Sequence, residues 1–143
     1  MNNINSKPVG SHFKSPSSLF CYPCKGRPIK KTLSELCGSQ RHVKECPVFL
    51  VFCADLNRIK ISHELEEKPN HLDTVEPFIV ATVDASIYGQ NVLLASELLG
   101  LGGVFIGGIR NQPEKVSQLL KIPEYVYPVF GMCIGYPDSE HLN

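Results

Sequence analysis

The chain has 143 residues, 43% of them hydrophobic and 20% charged, with 11 glycines, 11 prolines and no tryptophan. That is the profile of one ordinary globular domain, and it excludes collagen-like, fully disordered and coiled-coil chains. Fourteen basic residues balance fourteen acidic ones, so no overall charge draws the chain to nucleic acid or to an anionic membrane.

The balance is uneven: the first 45 residues carry eight Lys/Arg against Glu35 and Glu45, a charge of +6, and the remainder carries −6. The start, Met-Asn-Asn-Ile-Asn-Ser-Lys-Pro, lacks the apolar stretch of a secretory signal, which implies a reducing cytoplasm and free thiols for the six cysteines. The apolar stretch from Gly89 to Ile109 is broken by Gln90, Asn91, Glu97 and several glycines, so no membrane span is expected.

Residues 1–29 keep no period of 2 or 3.6 and read as an irregular segment ahead of a domain over 30–143. From Lys30, Leu33, Leu36 and Cys37 have helical spacing; Gly38 stops the run and Ser39 is placed to cap a second short turn through Val43. Val48–Ala54 is a continuous β-branched and aromatic run of strand length, which predicts a central strand buried on both faces. Residues 59–72, rich in Glu and Lys, read as a solvated connection.

The segment from Asp73 to Leu99 is apolar nearly all round at helical spacing, which predicts a long buried helix. Gly100 and Gly102-Gly103 end it, Val104-Phe105-Ile106 makes a short strand, and Gly107-Gly108 permits a sharp turn or close approach to a ligand. Asn111, with Pro113 and Glu114 after it, is a cap for a helix through Leu120. Tyr125–Tyr136 reads as the last strand.

Two motifs bear on chemistry. Cys21-Tyr-Pro-Cys24, with Cys37 and Cys46, has spacings that approach a four-thiolate zinc site, but a second CxxC is missing and Cys37 falls on the apolar face of a helix, so free thiols, buried or in disordered chain, are the better reading and no metal ligand is assigned. The stretch Gly100–Arg110 brings backbone amides and a guanidinium to one place. Its glycines flank the strand rather than following it into a helix, so it is not a dinucleotide-binding fingerprint.

Five stretches in order carry a resemblance: Gly38-Ser-Gln-Arg-His-Val43, Val51-Phe-Cys-Ala-Asp-Leu-Asn-Arg58, Asp84–Leu93, Glu97–Asn111 and Val129–Pro137. Together they resemble the oxygen-insensitive NADPH nitroreductase and flavin reductase family. The resemblance implies an α+β fold, a three-layer sandwich with a central mixed sheet and the long buried helix. It also implies a cytoplasmic homodimer, with no nucleic-acid or membrane partner, that holds FMN, takes hydride from NADPH and reduces nitroaromatics, quinones or free flavin. The flavin does the chemistry, so no side chain is assigned as catalytic. By the same resemblance the flavin contacts fall at Gln40, His42, Phe105, Ile106, Gly107 and Gly108, and Arg110 faces the pocket mouth as a contact for anionic substrate or NADPH phosphate.

The family's Arg-rich element that grips the FMN phosphate has no match in residues 1–29, and the chain stops at Asn143, short of a second such element. The resemblance therefore implies a domain incomplete at both ends. Each charge-assisted hydrogen bond to a phosphate is worth about 1.5–3 kcal/mol, so weak FMN retention is expected. A flavinless dimeric remnant and, further off, a Cys-ligated zinc module stand as the alternatives.

Overall fold

The structure, a computed structural model, describes residues 19–67, 72 and 74–137. Leu19–Cys24 forms a strand, β1, correcting the irregular chain expected there. It pairs antiparallel with β2 (Val48–Asp55), Leu19 lying opposite Ala54 and Cys24 opposite Phe49. β1 is at the sheet edge, where Pro23 is tolerated although it has no N–H to donate; the proline is also what hides the strand from a periodicity argument.

Two short helices follow β1 in the chain. The first, α1 (Arg27–Leu36), opens after Gly26 at φ 99°, three residues before the expected Lys30. Gly38 (φ 85°) and Ser39 (φ 58°) then reverse the chain into α2 (Arg41–Glu45). Ser39 does not cap that helix as expected; Gln40 takes the N-cap position and makes no side-chain capping bond.

The remaining strands are β3 (Gly102–Ile106) and β4 (Val126–Gly135), and the sheet runs β1-β2-β4-β3. β2 is thus a central strand, as its apolar run predicts. Every pairing among the described residues is antiparallel, which corrects the mixed sheet: the long excursion after β2 returns β3 beside β4, against its direction. Side chains alternate as a pleat requires. Phe49, Val51, Cys53 and Cys133 enter one core, and Phe52, Ala54, Phe130, Met132 and Ile134 enter the other.

The turn after Asp55 becomes α3 (Asn57–Leu65), where the sequence suggests a solvated connection from residue 59. Asp55 Oδ1 accepts the N–H groups of Asn57 at 3.1 Å and Arg58 at 3.3 Å, satisfying donors that a helix start leaves open. Further on, α4 (Val75–Leu98) crosses one face of the sheet on a stripe of small residues, Ala81, Ala85, Gly89 and Ser96. A Cβ on Gly89 would meet Phe130 Cζ at 2.6 Å, so glycine sets how closely the helix approaches. Val92 and Leu93 are partly buried against the same core, while Ile79, Val83, Ile87 and Leu94 are exposed. This corrects the buried helix: the chain covers one side of it and leaves the opposite side open.

Past β3, the 3-10 turn Gly107–Arg110 leads to α5 (Pro113–Leu120). Gln112, not Asn111, is its N-cap, because Asn111 N–H closes the preceding turn on Gly108 O at 3.0 Å. With α1, α2 and α5 packed over one face and α4 over the other, the molecule is an α+β three-layer sandwich.

Candidate functional site

The end of β3, the turn after it, β4 and the middle of α4 border an open cavity of about 420 Å³ lined by Ser86, Gln90, Phe105, Gly107, Arg110 and Phe130. Phe105 and Phe130 meet edge to face, with centroids 5.3 Å apart and planes at 75°, and form its apolar wall. Phe130 is fixed from behind by Phe52, stacked at 4.9 Å. The polar groups are the Gln90 amide, the Ser86 hydroxyl, the Gly107 backbone and the Arg110 guanidinium. Arg110 is anchored rather than free at the mouth: its Nη1 donates to Val129 O, and the guanidinium lies over Gly107.

Three of the sequence-derived residues, Phe105, Gly107 and Arg110, therefore share one cavity. Gln40, His42 and Gly108 form a second group beside it. Gln40 Oε1 and His42 Nε2 lie 2.9 Å apart, and a Cβ on Gly108 would stand 3.0 Å from Gln40 Nε2 and 2.5 Å from Cys37 O. The absence of a side chain at Gly108 is what lets the end of α1 and the Gln40 amide close on this turn. Ile106 is different. Its side chain is 1% exposed and packs in the core with Phe49 and Val116, so only its backbone is left to address a ligand.

Residues from α1 set the Gln40 group in place. The buried Ser34 hydroxyl donates to Gln40 O at 2.7 Å, at the start of α2, and the buried Lys30 ammonium donates to Cys46 O just past its end. Ser34, Ser86, Gln90 and Phe130 were missed as site residues by the sequence argument. Ser86, Gln90 and Phe130 do lie inside stretches that carry the resemblance, and that was the available signal.

The thiols of the CxxC do not converge. Cys21 packs on the α4 side of the sheet and Cys24 on the α1 side, as residues three apart on a strand must. Burial pushes both thiols up to about 12 and Cys37 up to about 11. Among the described residues no group of three or more His, Cys, Asp and Glu is placed to hold a metal ion, so the four-thiolate alternative lacks its geometry.

The sequence model of the nitroreductase family matches residues 11–136 and takes in β1. An oxygen-insensitive NADPH nitroreductase of Salmonella typhimurium is 46% identical over 112 residues, which cover 78% of this chain and 45% of that protein. An NADPH-dependent FMN reductase of Bacillus subtilis is 43% identical over 114 residues, covering 76% and 44%. Among solved structures, B. megaterium NfrA2 superposes with a TM-score of 0.83 at 42% identity, over 88% of this chain and 52% of that one. The NADPH:FMN oxidoreductase of Vibrio harveyi complexed with NAD+ superposes with a TM-score of 0.78 at 35% identity, over 87% and 52%. The chain thus spans about half the length of the relatives it matches.

Proposed function

The chain belongs to the nitroreductase family, and on that premise we propose that it is an NAD(P)H-dependent oxidoreductase whose cavity between α4 and β3 takes the ring system of FMN. The cavity itself carries this reading: an aromatic wall on one side and amide, hydroxyl, backbone and guanidinium groups on the other suit a flat heterocycle with apolar faces and a polar edge. When bound, FMN supplies hydride acceptance from NAD(P)H and electron delivery to a small acceptor such as a nitroaromatic, a quinone or free flavin.

The chain's own residues bind and orient. Phe105 and Phe130 offer ring faces, and Gln90 and Gln40 offer amides that donate or accept. The Gly107-Gly108 backbone permits amide contact without a side chain in the way, where negative charge develops on reduction. Arg110, its guanidinium held by the Val129 carbonyl, keeps further N–H groups for an anionic acceptor or cofactor phosphate. Gln40 steadies one nitrogen of the exposed His42 ring, leaving the other for the ligand side.

The proposal includes a homodimer formed through α4. Val83, Ile87 and Leu94, on the side of that helix away from its sheet-facing stripe, leave an apolar surface of the kind that marks an interface, and a two-fold pairing would bring it against its own copy. It also includes a cytoplasmic setting, in which the cysteines stay reduced. By length and composition α4 is apolar enough to cross a membrane, but its stripe of small residues on the sheet supports a helix of the folded domain.

Equilibrium dialysis of the chain against FMN, with Phe105→Ala alongside, tests the reading. Saturable binding that weakens in the variant supports it. No FMN uptake by the folded, unmodified chain overturns it.

A further inference from the structure

Cys46 and Cys133 come from distant parts of the sequence and meet at the end of α2. The Cys46 N–H donates to His42 O at 2.9 Å, and the Cys133 thiol reaches the same carbonyl at 3.6 Å. The Cys46 thiol points to Val43 O at 3.5 Å, so the two thiols sit on the carbonyls of adjacent residues of α2. The Lys30 ammonium, on the Cys46 carbonyl, is the nearby cation. Cys46 is half-buried and so open to a small oxidant, whereas Cys133 is 5% exposed.

From this arrangement we infer that Cys46 and Cys133 form a peroxide-sensitive thiol pair, in which Cys46 is oxidised first and Cys133 closes a reversible disulfide. The Cys46 thiolate attacks one oxygen of hydrogen peroxide; the S–O bond forms, the O–O bond breaks, and the departing hydroxide takes up a proton as water. Cys133 sulfur then attacks the Cys46 sulfenic sulfur. The S–S bond forms, the S–O bond breaks, and hydroxide leaves with the Cys133 proton as a second water. Two electrons pass from the thiols to the peroxide.

Reactivity in the first step depends on thiolate character. The neighbouring Cys133 thiol and the Lys30 charge hold the Cys46 thiol below its ordinary range, while burial keeps Cys21, Cys24 and Cys37 protonated. The Cys133 thiol is raised, first by its interaction with Cys46. Once Cys46 is a neutral sulfenic acid, its negative charge no longer holds the Cys133 proton in place, which favours the second step.

The test treats the reduced full chain with hydrogen peroxide and maps its cysteines by peptide mass spectrometry, with dimedone to trap sulfenic acid. The expected result is a Cys46–Cys133 bridged peptide that a dithiol reductant reverses. Cys133→Ala is expected to accumulate the dimedone adduct at Cys46, and Lys30→Gln to slow alkylation of Cys46 several-fold in the unoxidised protein. Bridges from Cys46 to other cysteines, or oxidation spread evenly over the six, overturn the inference; so does an unmodified Cys46 in the wild-type chain. None of these readouts requires flavin.

Discussion

The Ser34 hydroxyl donates a 2.7 Å hydrogen bond to the carbonyl of Gln40, and so joins the last turn of α1 to the residue that opens α2 beside the candidate site. Ser34 is 6% exposed, so Ser34→Ala removes one of two donors on the Gln40 carbonyl, the Val43 N–H at 3.1 Å remaining. The expected loss is about 1–2 kcal/mol of stability, read as a lower urea midpoint. FMN affinity is expected to fall with it, because the Gln40 amide loses its fixed origin.

The neighbouring glycines are expected to differ. At Gly108 an added Cβ meets Cys37 O, a backbone atom that cannot step aside, at 2.5 Å; Gly108→Ala is expected to lose about 3 kcal/mol. At Gly107 the obstacle is the Arg110 side chain at 3.2 Å, which can swing away. Gly107→Ala is therefore expected to fold near the wild-type midpoint while weakening ligand binding, and thermal melts with FMN titrations separate the two effects.

A third substitution reports on the sheet. The Phe49 ring lies over Gly131 so closely that a Cβ there would overlap its Cζ. Gly131→Ala is expected to destabilise by about 1–3 kcal/mol, and Gly131→Ala with Phe49→Leu to recover part of that. Denaturant midpoints for the double-mutant cycle give the answer.

Alkaline pH is expected to weaken the fold. Burial raises Cys21 and Cys24 from an ordinary value near 9 to about 12, and Cys37 to about 11. In that window the unfolded chain has lost protons that the native chain still holds, so stability is full below about pH 9 and declines as pH rises through the native values. Cys53 and Cys133 are raised as well; Cys46, whose thiol is lowered, works in the opposite direction, but it is one thiol against five. Urea midpoints under reductant at neutral pH and at stepwise higher pH should fall steadily.

The dimer face is open to a direct test. Ile87, on the side of α4 away from the sheet, is 59% exposed in the single chain. Ile87→Glu places a charge on the proposed interface without touching the sheet-facing stripe, so sedimentation is expected to show a dimer for the parent chain and a folded monomer for the variant.

How much of this was legible in the sequence varied with the kind of signal. β2 and α4 were visible because long uninterrupted apolar runs have few alternatives, and β3 because glycines bracket it. β1 was hidden by Pro23, which only an edge position accommodates, and α3 because its start depends on the Asp55 carboxylate rather than on an apolar face. The exposure of α4 was not legible either: all-round apolarity is the same pattern whether a helix lies in one chain's core or against another surface. At the site, Phe105, Gly107 and Arg110 came from the family resemblance that the glycine-flanked strand helps to carry, not from spacing alone. Ser86, Gln90 and Phe130 reach the cavity only because Gly89 lets α4 settle on β4, a tertiary fact that spacing does not encode. At Ile106 alternation along β3 turns the side chain into the core and leaves the backbone facing the turn.

The most direct measurement is a visible absorption titration of the purified chain with FMN, followed by NADPH under anaerobic conditions and then a nitroaromatic acceptor. The account predicts a perturbed flavin spectrum that saturates, bleaches on NADPH and recovers as the acceptor is consumed, with all three responses weakened by Phe105→Ala. A spectrum identical to free FMN at every ratio, with no NADPH oxidation above the protein-free control, contradicts it.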